Sequence, residues 1–290
     1  MKPIHQPVLL AEVLQELDLR PGAVVIDGTV GFAGHAVALW AAVAPGGRLL
    51  GIDRDPDALA SARQRLPAEV ELRHGNFRDV PDIAGEAGFV PADALLVDLG
   101  VSSAQIDRAE RGFSFRGDGP LDMRMDPSQP LTAAEIVNDW DEAELERIIR
   151  QYGEERRARR VAQRIVAHRP IHSTGELRAI VAAAVAAGKG PSHPARRTFQ
   201  ALRIAVNDEL GALAALLDAA PRVVRPGGRV AVISFHSLED RIVKRRFHEP
   251  PYRQTTKKPL QASTAEEERN PRARSAKLRV AIVLSRAEEA

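Results

Sequence analysis

The stretch VVIDGTVGFAGHA at residues 24–36 constrains the fold more than any other part of the chain. An apolar run of strand length ends at Asp27, and the glycine-rich segment GTVGFAG leads into a helical pattern near His35. Glycine lets a backbone approach a ligand closely, and the first N–H groups of a helix are free to donate. The pattern predicts a strand, a ligand-binding turn and a helix N-terminus; the alternative is a turn whose glycines serve packing only.

A second apolar run, LLGID, ends in Asp53, which lies 19 residues after Gly34. An acid at about this distance accepts hydrogen bonds from ribose hydroxyls in nucleotide-binding βαβ units. The glycine spacing departs from GxGxxG, which disfavours a pyrophosphate. S-adenosylmethionine therefore fits better than NAD, although an NAD-binding redox module stays the alternative. S-adenosylhomocysteine should raise the melting temperature of the first class of protein but not of the second.

The composition is that of an ordinary globular protein: 290 residues, 44% hydrophobic and 28% charged, with no cysteine. Disulfide scaffolds and thiolate metal sites are thereby excluded, and the histidines show no metal-ligand spacing, so we expect no metal. Acidic residues interrupt the N-terminal segment where a signal peptide would need an apolar run, and no run of about 18 apolar residues occurs. We expect a cytoplasmic protein without a membrane span.

Alternating strand and helix patterns up to Leu99 predict a parallel α/β sheet with helices on both faces. From Val101 to about Arg203 the patterns are helical only, which predicts an insertion. Around these we expect a helix at 4–17, a helix at about 194–220, a strand at 226–235, a helix at 237–247, a loop at 262–276, and a strand at 277–287 paired with 252–258.

Positive charge is concentrated although the net charge is only +2. Between Arg241 and Arg279 there are twelve Lys or Arg against four Glu. A second cluster contains no acid and consists of Arg156, Arg157, Arg159, Arg160 and Arg164. Clustered cations indicate a polyanionic partner. The alternative is a solvated helix face in a chain with 35 Arg and 6 Lys.

Several segments together resemble the bacterial RsmH (MraW) family. They are HQPVLLAEVL at 5–14, GFAGH at 31–35, DLGVSSAQID at 98–107, RGFSFRGDGPLDMRMD at 111–126, RTFQALRIAVNDEL at 197–210, SFHSLEDRIVK at 234–244, TKKP at 256–259 and NPRARSAKLR at 270–279. The resemblance runs through nearly the whole chain in consecutive order. Phe32 departs from it, since the family often has glycine there.

The resemblance implies a class I (Rossmann-like) S-adenosylmethionine-dependent methyltransferase sheet with an inserted all-helical domain. It implies methyltransferase core at 1–103 and 206–290, with a substrate-recognition insertion at 104–205. The cofactor contacts carried over from the family are Ala33, Gly34, His35, Asp53, Phe77, Asp98 and Gln105. The implied reaction is methylation of the N4 amine of a cytidine in the decoding region of 16S ribosomal RNA.

Three residues are candidates for the chemistry: Asp98, Ser102 and His236. Cytosine N4 is a poor nucleophile, and an acceptor for one of its hydrogens assists it. Asp98 is one candidate acceptor, and a carbonyl of Leu99 or Gly100 or the Ser102 hydroxyl are others. His236 is either a nucleotide-binding or a structural residue. We expect the His35 backbone N–H, rather than its ring, to serve the cofactor, and Phe77 either packs on adenine or belongs to the core.

The candidate substrate-binding residues are Arg111, Phe113, Phe115, Arg116, Lys257 and Lys258. A cytosine in folded RNA must be splayed out, and aromatic and basic side chains commonly hold such a base. The alternative is a 111–126 loop that folds back on its own domain. The expected partner is 16S ribosomal RNA, either naked or in an assembled small subunit, and the oligomeric state stays open, a homodimer included. An RNA-binding assembly factor with weak activity is a third interpretation.

Overall fold

The computed structural model describes residues 7–185, 193–285 and 287–288. The chain divides into two compact units, with boundaries after Gly100 and after Glu209. The elements before the first boundary are α1 (Leu10–Leu17), β1 (Val24–Asp27), α2 (Gly34–Val43), β2 (Arg48–Asp53), α3 (Pro56–Arg65), β3 (Glu71–His74), α4 (Val80–Glu86) and β4 (Ala92–Asp98).

The segment between the two boundaries, the helical unit, contains only helices as regular elements in its described part. They are α5 (Ser103–Asp107), α6 (Ala133–Asp139), α7 (Glu142–Gln151), α8 (Ala158–Ala167), α9 (Thr174–Ala184) and α10 (Arg196–Asn207). Their buried residues form one apolar core that includes Ile136, Ile148, Val161 and Leu202. The predicted change from an α/β to a helical pattern after Val101 is confirmed.

The remaining elements return to the sheet unit, which consists of the segments outside the two boundaries. They are α11 (Glu209–Ala219), β5 (Val224–Ser234), α12 (Ser237–Phe247), β6 (Tyr252–Gln254), α13 (Thr264–Arg269) and β7 (Lys277–Val283). The sheet order is β3-β2-β1-β4-β5-β7-β6. Strands β1 to β5 run parallel, whereas β7 lies antiparallel between β5 and β6. The predicted α/β sheet and its antiparallel closure are confirmed.

Both faces of the sheet are buried, which explains why its central strands are apolar throughout. Ile26 and Leu95 belong to the core on one face, whereas Val25 and Leu96 belong to the core on the other. Because successive side chains of a strand point to opposite faces, each core receives every second residue. The charged residues of these strands are thus left to the strand ends.

Three predictions about elements need correction. The N-terminal helix begins at Leu10 rather than residue 4, and residues 1–6 lie outside the described part. The predicted 194–220 helix is two helices, because Asp208 has a φ of +44°, a left-handed conformation that Asp tolerates better than most residues. The predicted 262–276 loop contains α13 and a short 3₁₀ helix, since Ser263 caps α13 by accepting from the Glu266 N–H at 3.2 Å.

None of the described helices is long and apolar enough to cross a membrane.

Candidate active site

Three carboxylates stand at the ends of neighbouring parallel strands in the sheet unit. Asp27 ends β1, Asp53 ends β2 and Asp98 ends β4. Asp27 pairs with Gly51 of β2 and Leu96 of β4, so the other two acids each lie two residues further along their strands. Ligands of open parallel sheets bind beyond the carboxyl ends of the strands. The three acids therefore line the edge where a ligand is expected.

The turn after β1 is hydrogen-bonded to both neighbouring strands. Oδ1 of the buried Asp27 accepts from the Thr29 N–H at 3.1 Å, and Oγ1 of Thr29 accepts from the Asp98 N–H at 2.6 Å. On the other side, the Gly31 N–H donates to Oδ2 of Asp53 at 2.8 Å. Gly31 has a φ of +50°, a conformation that favours glycine. Thr29 was not predicted as a site residue, because nothing in the spacing of the segment 27–34 sets it apart.

Helix α2 begins directly after this turn and has no side-chain cap. Its N-cap residue is Ala33, which has a φ of +61° and no polar group to accept from the first N–H groups. Gly34 opens the helix, and a Cβ at that position would lie 3.2 Å from Cβ of Pro7. Uncapped N–H groups at a helix start attract the polar or negative part of a ligand.

Asp53 holds the turn and keeps acceptor capacity for a ligand. Its Oδ1 accepts from the Asp55 N–H at 2.9 Å, and its Oδ2 accepts from Gly31. Burial raises the pKa of Asp53 above its ordinary value, and the two backbone donors counteract that rise. Each carboxylate oxygen has a second lone pair, so two ribose hydroxyls can still donate to this side chain.

Asp98 is the least satisfied of the three acids. Its Oδ1 is buried and has no hydrogen-bond partner among the described residues. Burial, followed by the charges of Asp27 and Glu239, raises the pKa of Asp98 to about 8, although Arg272 opposes the rise. A buried carboxyl with these neighbours holds a proton near neutral pH.

The ring of His35 lies beside Asp98, and the expected role of its backbone N–H toward the cofactor stays a prediction. Nδ1 of this buried histidine is 3.7 Å from Oδ2 of Asp98, and Nε2 is 2.9 Å from the carbonyl oxygen of Val8. If Nε2 carries the proton and donates to Val8, Nδ1 presents a lone pair to Asp98. Residue spacing could not reveal this contact, because it depends on how α1, α2 and β4 meet.

His236 is used within the turn that follows β5. Its Nδ1 accepts from the Glu239 N–H at 3.4 Å, so its side chain caps α12. Oε2 of Glu239 in turn accepts from the N–H groups of Phe235 and His236 at 2.8 and 3.2 Å. Nε2 of His236 lies 3.2 Å from Oε1 of Glu239. These contacts favour the structural interpretation of His236, and its catalytic role stays a prediction.

Phe77 begins the short 3₁₀ helix after β3 and belongs to the core of the sheet unit, with 6% of its surface exposed. The guanidinium of Arg54 lies 5.9 Å from its ring centroid. The core interpretation of Phe77 therefore holds, and stacking on adenine through its remaining exposed edge stays a prediction.

Ser102 and Gln105 belong to the helical unit, where they cap α5 reciprocally. Oγ of Ser102 accepts from the Gln105 N–H at 3.2 Å, and Oε1 of Gln105 accepts from the Ser102 N–H at 2.9 Å. Such a capping box fixes the start of a short helix. Their predicted roles toward amine and cofactor stay predictions.

The 111–126 loop folds back on the helical unit. Arg111 donates to the carbonyls of Arg124 and Met125 at 3.1 and 3.0 Å. Phe113 is 8% exposed and belongs to the core, and Phe115 stacks on His193 with centroids 5.1 Å apart. These contacts favour the second of the two interpretations of the loop, because both aromatic rings are already packed.

Arg116 is the exposed member of the four predicted residues in this loop.

Asn207 anchors the same loop from α10: its Oδ1 accepts from the Met125 N–H, and its Nδ2 donates to the Met123 carbonyl, both at 2.8 Å. This buried asparagine joins the 111–126 loop to the 197–210 segment.

The basic segment at 241–279 is partly neutralised within the sheet unit. Asp240 accepts from Arg279 at 2.7 Å and from Lys277 at 3.1 Å, and Arg246 pairs with Asp218 at 2.8 Å. Lys257 and Lys258 follow β6 and are exposed. Fewer cations of this segment are therefore available to a polyanion than the sequence count suggests.

Comparison with known proteins identifies the family. Residues 2–283 match the model of the MraW methylase family. The chain is 50% identical to the ribosomal RNA small subunit methyltransferase H of Symbiobacterium thermophilum, covering 99% of this chain and 98% of that protein. It is also 50% identical to the protein of that name from Geobacter sulfurreducens, over 96% and 98% of the two chains.

A solved rRNA methylase from Streptococcus thermophilus is more distant, with 12% identity, a TM-score of 0.44, and coverage of 96% of this chain and 93% of that one. The family match and the two relatives span nearly the whole chain. The chain therefore belongs to the MraW methylase family and is an S-adenosylmethionine-dependent methyltransferase.

Proposed function

We propose that this enzyme methylates the N4 amine of a cytidine in the decoding region of 16S ribosomal RNA. The names of its relatives support small-subunit ribosomal RNA as the substrate class. The observation that carries the proposal is the buried Oδ1 of Asp98, which lacks a partner among the described residues at the ligand-binding edge of the sheet. Buried acceptors are normally satisfied, so this oxygen points to a donor supplied by a ligand.

The residues at the same edge fit S-adenosylmethionine. Asp53 has acceptor capacity for two ribose hydroxyls, and the uncapped start of α2 at Ala33, Gly34 and His35 offers N–H donors. The cofactor, when bound, supplies a methyl group on a positively charged sulfur. In their ionised form, the acids at the ends of β1, β2 and β4 favour that cation electrostatically.

We propose that the Asp98 carboxylate accepts a hydrogen bond from the N4 amine. An acceptor on this carboxylate lets N4 localise its lone pair as its bond to the methyl carbon forms and the carbon–sulfur bond breaks. The surplus proton then leaves N4 and passes to Asp98, which is ionised while the cationic methyl donor is bound. Once that cation has reacted, the carboxyl holds the proton near neutral pH, since its pKa is about 8. The carbonyls of Leu99 and Gly100 and the Ser102 hydroxyl are the competing acceptors.

We also propose that the substrate is the assembled small subunit in the cytoplasm, because residues 101–209 form a whole additional unit with its own core. Such a unit provides more contact surface than a single base requires. Arg116 of this unit and Lys257 and Lys258 of the sheet unit are exposed and remain the enzyme's proposed substrate contacts.

The test is methyl transfer from an isotopically labelled cofactor to naked 16S RNA and to assembled subunits that lack the modification. Mass spectrometry of the digested nucleosides should identify N4-methylcytidine, with the subunit as the better substrate. A label on a ring carbon, on ribose or on another base would contradict the proposal. Asp98→Asn should lower kcat, whereas Ser102→Ala should change it little; the reverse result would assign the amine to Ser102.

A further inference from the structure

Helix α8 of the helical unit has one face that consists of arginine and one that is apolar. Ala158, Val161, Ala162 and Ile165 are fully buried. Arg159, Arg160 and Arg164 lie on the opposite face and are exposed, and Arg156 and Arg157 continue that exposure just before the helix. Because the apolar face is buried, the orientation of α8 about its axis is fixed, and its arginines all face solvent.

The arginines of α8 are not used to stabilise the unit. None of these five guanidinium groups has an ion pair or side-chain hydrogen bond to another described residue, and α8 contains no acid. Four of the five lie at or before the first turn, where a cation opposes the helix dipole. Local stability thus gives no reason for arginine at these positions.

The neighbouring helix α7 shows how arginines are accommodated when they serve the helix itself. Arg147 pairs with Glu144 at 2.8 Å, and Arg150 pairs with Glu146 at 2.5 Å. Both pairs have the three- or four-residue spacing that stabilises helices. The arginines of α7 are therefore compensated, whereas those of α8 form a patch of one sign.

We propose that the arginine face of α8 binds the phosphate backbone of the RNA substrate. Guanidinium groups bind phosphate through two parallel N–H donors and stay charged at any working pH. Contacts of this kind position an RNA without reading its sequence. The inference rests on the proposed function, since a ribosomal RNA substrate supplies the polyanion, and it assigns α8 the task of holding the substrate rather than choosing the base.

The experiment compares two variants that each remove two positive charges. One is the double substitution Arg160→Gln and Arg164→Gln in α8, and the other is Arg147→Gln and Arg150→Gln in α7. Binding of 16S RNA and of small subunits is measured over a series of salt concentrations, together with kcat and KM for methyl transfer. Thermal melting verifies that both variants fold.

The α8 variant should bind about tenfold more weakly or worse, and its log–log salt slope should fall by about 0.7 to 0.9 per lost phosphate contact. KM should rise while kcat at saturating RNA stays unchanged, because none of these arginines is proposed to take part in methyl transfer. The α7 variant should keep the wild-type slope. Replacing Arg160 and Arg164 by lysine should restore much of the affinity, since charge is retained.

Equal losses of RNA affinity in the two double variants would overturn the proposal, because they would show an effect of net charge only. An unchanged slope in the α8 variant would also overturn it. Failure of the wild-type enzyme to methylate small-subunit RNA is a separate result, which contradicts the proposed function itself.

Discussion

Nδ1 of His35 lies 3.7 Å from Oδ2 of Asp98 although the two residues are 63 positions apart in the chain. The ring is held from its other side by the Val8 carbonyl, 2.9 Å from Nε2. The contact joins the first turn of α2 to the end of β4.

Binding of the cationic methyl donor should depend on pH through Asp98. The pKa of about 8 means that this carboxyl is largely protonated at pH 6.5 and ionised at pH 9. A nearby sulfonium favours the ionised form, so binding releases a proton and affinity should rise with pH until about 8 and then level off.

Calorimetry in two buffers of different ionisation enthalpy measures this proton release. S-adenosylhomocysteine is the matched control, because its sulfur is neutral and its affinity should change less with pH. In the Asp98→Asn variant, the affinities for the two ligands should depend on pH to the same extent. An identical pH dependence for both ligands in the wild type would contradict the prediction.

Asp27→Asn should stabilise the protein at alkaline pH. Burial raises the pKa of Asp27 from 3.8 to about 7, so the folded state keeps a proton that the unfolded state loses. The folded state binds more protons between these values, and stability therefore falls as pH rises from about 4 to 7 and is flat above. Asparagine removes this dependence and retains the oxygen that accepts from Thr29.

Urea unfolding should show a gain on the order of 1 to 4 kcal/mol at pH 8 and no gain at pH 4. A gain of the same size at both pH values would mean that packing, rather than ionisation, is responsible.

Asp53→Ala should weaken binding of S-adenosylhomocysteine by about 100-fold or more. The substitution removes acceptors for two ribose hydroxyls, each bond worth about 1.5 to 3 kcal/mol, and it also releases the Gly31 and Asp55 N–H groups. Asp82→Ala is the control, because Asp82 is an exposed acid in the first turn of α4. Unchanged affinity in the Asp53 variant, measured by calorimetry, would remove Asp53 from the cofactor site.

Two glycine-to-alanine substitutions should change stability in opposite directions. A Cβ on Gly51, in the middle of β2, would lie 2.7 Å from Cδ2 of Leu72 and 2.9 Å from Cγ2 of Val30, which predicts a loss of about 1 to 3 kcal/mol. Gly85 lies in α4, and apart from its own helix backbone and chain neighbours no atom lies within 4 Å of its Cβ position, so Gly85→Ala should gain about 0.4 to 1 kcal/mol. Denaturant midpoints measure both, and a stabilised Gly51→Ala protein would show that the sheet can expand there.

Local patterns in the sequence determined the order of strands and helices, because the central strands are apolar on both faces and the apolar residues of a helix recur about every 3.6 positions. They also predicted that Asp27, Asp53 and Asp98 lie at one edge of the sheet, because the carboxyl ends of parallel strands lie on the same side. The roles carried over by resemblance to the RsmH family depend equally on local motifs. The arginine cluster at 156–164 could also be recognised from the sequence alone.

Only the tertiary structure decided which of these groups already have partners. Phe113 and Phe115 are packed within the helical unit, and Asp240 neutralises part of the basic segment. The structure also revealed the His35 ring beside Asp98, and it separated the compensated arginines of α7 from the uncompensated ones of α8. The physical reason is that hydrogen bonds and ion pairs across long separations depend on how elements pack, whereas strands, helices and turns depend on neighbours along the chain.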